Sequence, residues 1–215
     1  SWVSGTANIF TREFYQLAES RLAPDGLFAA WMHLYNITPP DIRRFARTLQ
    51  SVYADTSLWL SGSQMELIVI GSRHPLAPDY GSMRRRLQSP ALRDELARVA
   101  PPVPETLIGL HLMDNQAMSD YAAGADINTD NHPVMEFSIP RQLYQWDAAE
   151  NLRSLVGQRQ TATLALSGMG QRQGAAWVFP ALALQLNLQG WEFATDYIMV
   201  HEYGQTGVQR TATPR

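Results

Sequence analysis

The chain contains neither cysteine nor lysine. Without cysteine it has no disulfide, no thiolate zinc site and no cysteine nucleophile, and its redox compartment stays open. Without lysine it has no Schiff-base amine, no phosphate-loop lysine and no lysine general base. All 17 basic residues are arginine, for which GC-rich coding is the simplest cause. Charge is sparse, at 17% of residues, and the net value is −3. A basic face for nucleic acid is therefore not expected. Long apolar runs are missing too. The longest uncharged stretch, Gln173 to Trp191, holds Pro180, Asn187 and several glutamines, which makes it a poor membrane span. The first residues lack the basic-then-apolar pattern of a secretion signal. The expected address is cytoplasmic, either as a free protein or as the soluble part of a membrane-anchored parent.

What is present fits a folded protein: 215 residues, 45% of them apolar, enough for a sizeable core. Thr11 can cap a helix reaching about Leu22, with Phe14, Leu17, Ala18 and Leu22 at helical spacing. Pro24-Asp25-Gly26 signals a turn. Leu27 to Leu34 is a nearly continuous apolar run, as expected of a strand covered on both faces. Thr38, a proline at the first helical position and Asp41 form a capping-box-like start for a helix striped by Ile42, Phe45, Ala46, Leu49 and Val52. Ser57 to Leu60 and Gln64 to Ile70 read as strands, and the short Ser61-Gly62-Ser63 link permits only an antiparallel hairpin.

Further along, Tyr80 to Leu87 and Pro90 to Val99 read as helices, the second capped by Ser89. Glu105 to Met113 and Asn115 to Ala123 read as another helical pair, closed by Gly124. Val134 to Ile139 alternates like a short strand. Asp147 to Val156, Gly174 to Leu188 and Trp191 to Tyr203 read as helices of a tail.

The order helix, strand, helix, strand, antiparallel strand predicts an α/β fold. It is the order of the second half of a class I methyltransferase-like (Rossmann-type) doubly wound sheet, a parallel sheet ending in an antiparallel hairpin. The expected organisation is such a half-domain over 1–141, then a mainly helical tail or the start of a helical-repeat region over 142–215. The glycine-rich cofactor turn of the first half is not in this chain.

Three segments resemble one family. Trp2-Val3-Ser4-Gly5-Thr6-Ala7-Asn8-Ile9-Phe10-Thr11, followed by Glu13-Phe14-Tyr15, is similar to the stretch after the fourth sheet strand of bacterial spermidine-synthase-like proteins. Leu22-Ala23-Pro24-Asp25-Gly26-Leu27-Phe28 with Trp31 resembles the next helix end and fifth strand. Asn128-Thr129-Asp130-Asn131-His132-Pro133, with Glu136-Phe137 and Pro140-Arg141, resembles the close of that domain.

The resemblance implies an aminopropyltransferase or a close cousin. A polyamine nitrogen attacks the methylene carbon beside the sulfonium of decarboxylated S-adenosylmethionine, and methylthioadenosine leaves. It also implies that the proton-accepting acid and the nucleoside site lie upstream of Ser1, so no cofactor-binding residue is assigned here. The implied partners are a small polyamine and the upstream half of the same parent, with self-association through an exposed sheet edge if that half is missing. Polyamine synthases tend to place glutamine and glutamate near the end of the fifth strand. Here the residues are Ala30-Trp31-Met32-His33, which weakens the case for a diamine.

Candidate site residues follow from position. Trp2, Ser4 and Gly5 would follow the carboxyl end of the fourth strand and form a substrate-facing loop, or else an ordinary connection. His33 and Tyr35 end the fifth strand on the same side. A histidine there can transfer protons, though a hydrogen-bonded loop histidine is the commoner case. No metal site is expected. Asp126, Asn128 and Asp130 imitate the first ligands of a calcium loop, but Asn131 and Phe137 stand where glycine and glutamate are needed. Asp130 and His132 are better read as fixing a turn. Gly168-Met169-Gly170 with Gly174 has the outline of a dinucleotide turn, but too little chain follows it. Arg84-Arg85-Arg86 reads as a solvated helix face. The competing reading of the whole chain is a non-catalytic scaffold that works through protein contacts.

Overall fold

Thr11 starts the first helix by the mechanism its sequence suggests. In a computed structural model, which describes residues 7–61, 65–76, 78–98, 102–144 and 148–157, its backbone is extended and its hydroxyl accepts the Phe14 N–H at 3.3 Å. It thereby caps α1 (Arg12–Ser20). The same hydroxyl donates to the Asn8 carbonyl in the preceding 3₁₀ turn, Ala7–Phe10. Next come β1 (Leu27–His33), α2 (Pro39–Gln50), β2 (Asp55–Leu60) and β3 (Glu66–Ser72). They are followed by α3 (Tyr80–Arg86), α4 (Pro90–Leu96), α5 (Pro104–Gly109), β4 (His111–Met113), α6 (Asn115–Tyr121), α7 (Val134–Ser138) and α8 (Ala148–Gly157).

The described strands form one sheet in the order β1-β3-β2-β4. Every hydrogen-bonded pair is antiparallel. β1 runs against β3 from Leu27↔Ser72 to His33↔Glu66, and β2 runs against β3 from Asp55↔Ser72 to Leu60↔Leu67. β4 adds a short, irregular pairing at Leu58↔Met113 and Trp59↔His111. The expected hairpin is present, and the Leu27 strand does lie beside it. The expected parallel pairing is not found among the described strands. β1 and β2 point the same way and are joined through α2, but the return strand β3 fills the gap between them.

One face of this sheet carries Ala30, Met32, Leu58, Leu67 and Val69, all buried in a single cluster with Tyr15 of α1 and Ile42, Phe45 and Leu49 of α2. The other face of β1 corrects the sequence reading. Leu27 and Trp31 are 56% and 46% exposed, so the strand is covered on one face alone. Strand alternation puts them opposite Ala30 and Met32, away from the cluster.

Two further segments differ from expectation. His111–Met113 leaves the Glu105 helix and pairs with β2, because tertiary pairing outweighs a weak helical pattern. Val134–Ser138 is helical rather than extended: the Met135 N–H is taken by the Asn128 side chain at 3.1 Å, and Pro133 and Pro140 bracket the segment. Gly124, at φ +75°, does stop the chain after α6, as expected. Ala148, Leu152 and Leu155 of α8 are buried in the same cluster as the sheet. The glycine turn at 168–174 and the helices expected over 174–188 and 191–203 lie outside the described residues.

Arg73, just past β3, ties the sheet to α1. Its guanidinium donates to the Glu19 carboxylate at 2.5 Å and to the Glu19 and Leu22 carbonyls at 2.7 and 3.1 Å. A closer contact lies at Gly71, where an added Cβ would sit 2.6 Å from Cγ of Tyr53. The Tyr53 ring stacks on Phe28 with centroids 5.3 Å apart, and Phe28 pairs with Gly71 across the strands, so the ring cannot withdraw freely. Gly71→Ala is expected to cost about 1–3 kcal/mol in urea unfolding. A Tyr53→Leu background should relieve much of that loss.

Candidate functional site

β1 and β2 share a direction, so their carboxyl ends lie on the side of the sheet where open α/β folds bind ligands. Pairing continues one residue past β1, where the Leu34 N–H donates to the Met65 carbonyl at 2.7 Å. The chain then turns at Asn36, whose φ of 54° is left-handed, a conformation asparagine tolerates better than most residues. Asn151 of α8 fastens this bend. Its side-chain amide donates to the carbonyls of Leu34 and Ile37 at 2.8 and 2.7 Å, in full burial.

The helix that follows starts differently from the expected capping box. Thr38 is at the N-cap, but its hydroxyl donates to the Asp41 carboxylate at 2.6 Å instead of accepting a helix N–H. Asp41 is buried and also receives Arg44 at 2.9 Å and Ser138 at 2.6 Å. A carboxylate with three donors outcompetes the weaker hydroxyl cap. Ser89 likewise sits at the N-cap of α4 without a side-chain bond.

His33 has no exposed surface. Its ring centroid lies 4.8 Å from that of Tyr35 and 5.9 Å from that of Trp31. Burial pulls its pKa down from 6.5 to about 4, so the imidazole is neutral at neutral pH. Glu66 stands directly opposite His33 in the β1/β3 register. Neighbouring pairs extend the same sheet face: Trp31↔Ile68, Ile68↔Trp59 and Trp59↔His111. The Trp59 and His111 rings meet edge-on at 4.8 Å, and the Trp59 indole N–H donates to the Ser57 hydroxyl at 2.7 Å. This end of the sheet thus combines a neutral imidazole, a phenol and a carboxylate beside an aromatic wall. It can accept a proton or a hydrogen bond and can hold a cation, with the apolar part of a ligand against the wall.

The sequence named His33 and Tyr35, and the structure brings them together. Trp2, Ser4 and Gly5 lie outside the described residues. Glu66 and Asn151 were missed. No local motif marks either, since Glu66 enters through a register between strands separated by α2 and β2.

The turn at 128–132 is closed by the expected His132, which bridges to Thr129, and is anchored to the rest of the fold by Asn128, which the sequence reading does not single out for this role. Buried Asn128 accepts the Met135 N–H, donates its side-chain amide to the Phe10 carbonyl at 3.1 Å and its backbone N–H to the Thr48 hydroxyl at 3.0 Å. Asp130 and His132 contribute backbone N–H groups, to Glu13 and to Thr129. Arg84, Arg85 and Arg86 are exposed, as expected of a solvated face.

A buried neutral histidine makes stability depend on pH. In the unfolded chain it gains a proton near pH 6.5, whereas in the folded chain it resists until about pH 4. Stability from this group is therefore complete above pH 6.5 and is lost as pH falls toward 4, by about 2 kcal/mol. Urea unfolding of the wild type and His33→Leu at pH 7 and pH 4.5 should show a smaller pH effect in the variant.

Comparison with solved structures finds a probable spermidine synthase from Corynebacterium glutamicum at a TM-score of 0.40 and 17% identity, covering 60% of this chain. The match spans 43% of the length of that protein. No family model matches the chain, and no curated protein matches it. No helix among the described residues is long and apolar enough to cross a membrane.

Proposed function

We propose that this chain is the substrate-side part of a spermidine-synthase-like transferase, in which an upstream half holds decarboxylated S-adenosylmethionine. The observation that carries the reading is the pairing of Glu66 opposite His33, whose ring meets Tyr35, at the carboxyl end of codirectional strands, together with the sequence resemblance of the flanking segments. The strand-end carboxylate that β1 itself lacks is supplied from β3. Glu66 holds an ammonium group of the polyamine, and Trp31 packs along its methylene chain. The attacking nitrogen forms its bond to the methylene carbon as the carbon–sulfur bond breaks, and its proton passes to an acid upstream of this chain. Neutral His33, buried against the Tyr35 ring, positions that ring and does not itself touch the amine.

The test is a titration of decarboxylated S-adenosylmethionine, methylthioadenosine and putrescine against this chain and against a form extended upstream by roughly one hundred residues, the size of the implied half. Binding of nucleoside and amine to the extended form alone is expected. Glu66→Gln should weaken the amine about tenfold or more without changing nucleoside binding. Silence of the extended form toward all three rejects the reading.

A second reading, a protein-interaction scaffold, is favoured by the edge of β1 that no described strand pairs with. Its seven residues contain no charge, no proline and no bulge, the devices that normally blunt an edge. On this reading the chain self-associates through β1 in sedimentation experiments, and Ala29→Arg makes it monomeric.

A further inference from the structure

A groove of about 440 Å³ lies over the segment between Asn131 and Arg141, apart from the sheet end discussed above. His132 and Arg141 bring basic side chains to it, Pro133, Val134 and Phe137 bring apolar surface, and none of the described residues lining it is a carboxylate. Its volume falls in the range of small-ligand sites. Phe137 is 62% exposed, although an aromatic ring of that size usually finds cover. The Arg141 guanidinium makes no ion pair or hydrogen bond among the described residues.

The frame beneath the groove is fixed. Asn128 locks its start through three buried hydrogen bonds, and the Ser138 hydroxyl is bound to Asp41 at its far side. Met135 and Ile139 are buried under it. A rigid floor, an exposed ring and an unneutralised guanidinium on one groove are the components of a preorganised anion site.

We infer that this groove binds a flat-bodied organic anion, a carboxylate or phosphate carried on a ring. Arg141 and His132 take the anionic group, and the ring lies against Phe137 and Pro133. The inference is independent of the transferase reading, whose amine substrate is cationic and binds at Glu66.

Titration of the full chain with phenyl phosphate tests it, followed by calorimetry and by the Phe137 and His132 ring resonances. Inorganic phosphate and phenol serve as the two halves of the probe. Phenyl phosphate should bind at least about tenfold tighter than either half, and Arg141→Gln and Phe137→Ala should each weaken it about tenfold. Both residues are exposed, so the melting temperature should not move and loss of binding is not loss of fold. The inference is overturned by no saturable binding up to about 10 mM, by binding no tighter than inorganic phosphate, or by binding that ignores Arg141→Gln.

Discussion

Replacing Asp41 with alanine is expected to cost about 3–5 kcal/mol, enough to unfold much of the population of a marginally stable domain. Asp41 is 1% exposed and receives three side-chain donors, from Thr38, Arg44 and Ser138. Two of these are hydroxyls that would lose their acceptor. The third is a guanidinium with 14% side-chain exposure, whose remaining described carboxylate, Asp126, is 3.8 Å away and itself well exposed. The cost comes mainly from leaving that cation poorly compensated in a desolvated place. Asp41→Asn keeps the volume and an acceptor oxygen, and should cost about half as much. Arg44→Met in the Asp41→Ala background should restore part of the loss, because it removes the stranded charge. Urea unfolding of the wild type, Asp41→Ala, Arg44→Met and the double variant, analysed as a double-mutant cycle, measures the coupling. A cost below about 1 kcal/mol for Asp41→Ala would show that the cluster is solvated and contributes little.

Asn151→Leu should cost about 2–4 kcal/mol and should also disturb the candidate site. The side-chain amide of Asn151 serves the carbonyls of two buried residues, Leu34 and Ile37, at the bend after β1. Leucine fills the space but leaves both carbonyls without that donor. The expected relief is for the bend to loosen and admit water. Hydration would let the pKa of His33 rise from about 4 toward its ordinary value of 6.5. The imidazole titration followed by NMR therefore distinguishes a bend held by Asn151 from one held by packing: an unchanged His33 titration with a normal melting curve would assign the bend to packing.

These residues also mark where sequence reasoning works and where it stops. Thr11, the Pro39 helix start and the β2–β3 hairpin are local features, because a cap, a proline or a short link constrains neighbours only a few residues apart. The β4 strand was not legible. Three residues cannot show a period, and what extends them is a partner strand far away in the chain. Coverage of β1 was misjudged for a related reason: an apolar run does not reveal whether anything packs on its second face. His33 and Tyr35 could be chosen because they share a strand end. Glu66 and Asn151 reach that end through long-range register and helix docking, which no spacing rule encodes.

The account as a whole rests on β1 being an inner strand of a larger sheet. Residue-resolved hydrogen exchange addresses this directly, through the amides between 27 and 33 that β3 does not engage. In this chain they should exchange as freely as loop amides. In the form extended upstream they should slow at least about tenfold as a neighbouring strand takes them up. Equal exchange in both forms would mean that nothing upstream pairs with β1, and the transferase-half reading would be wrong.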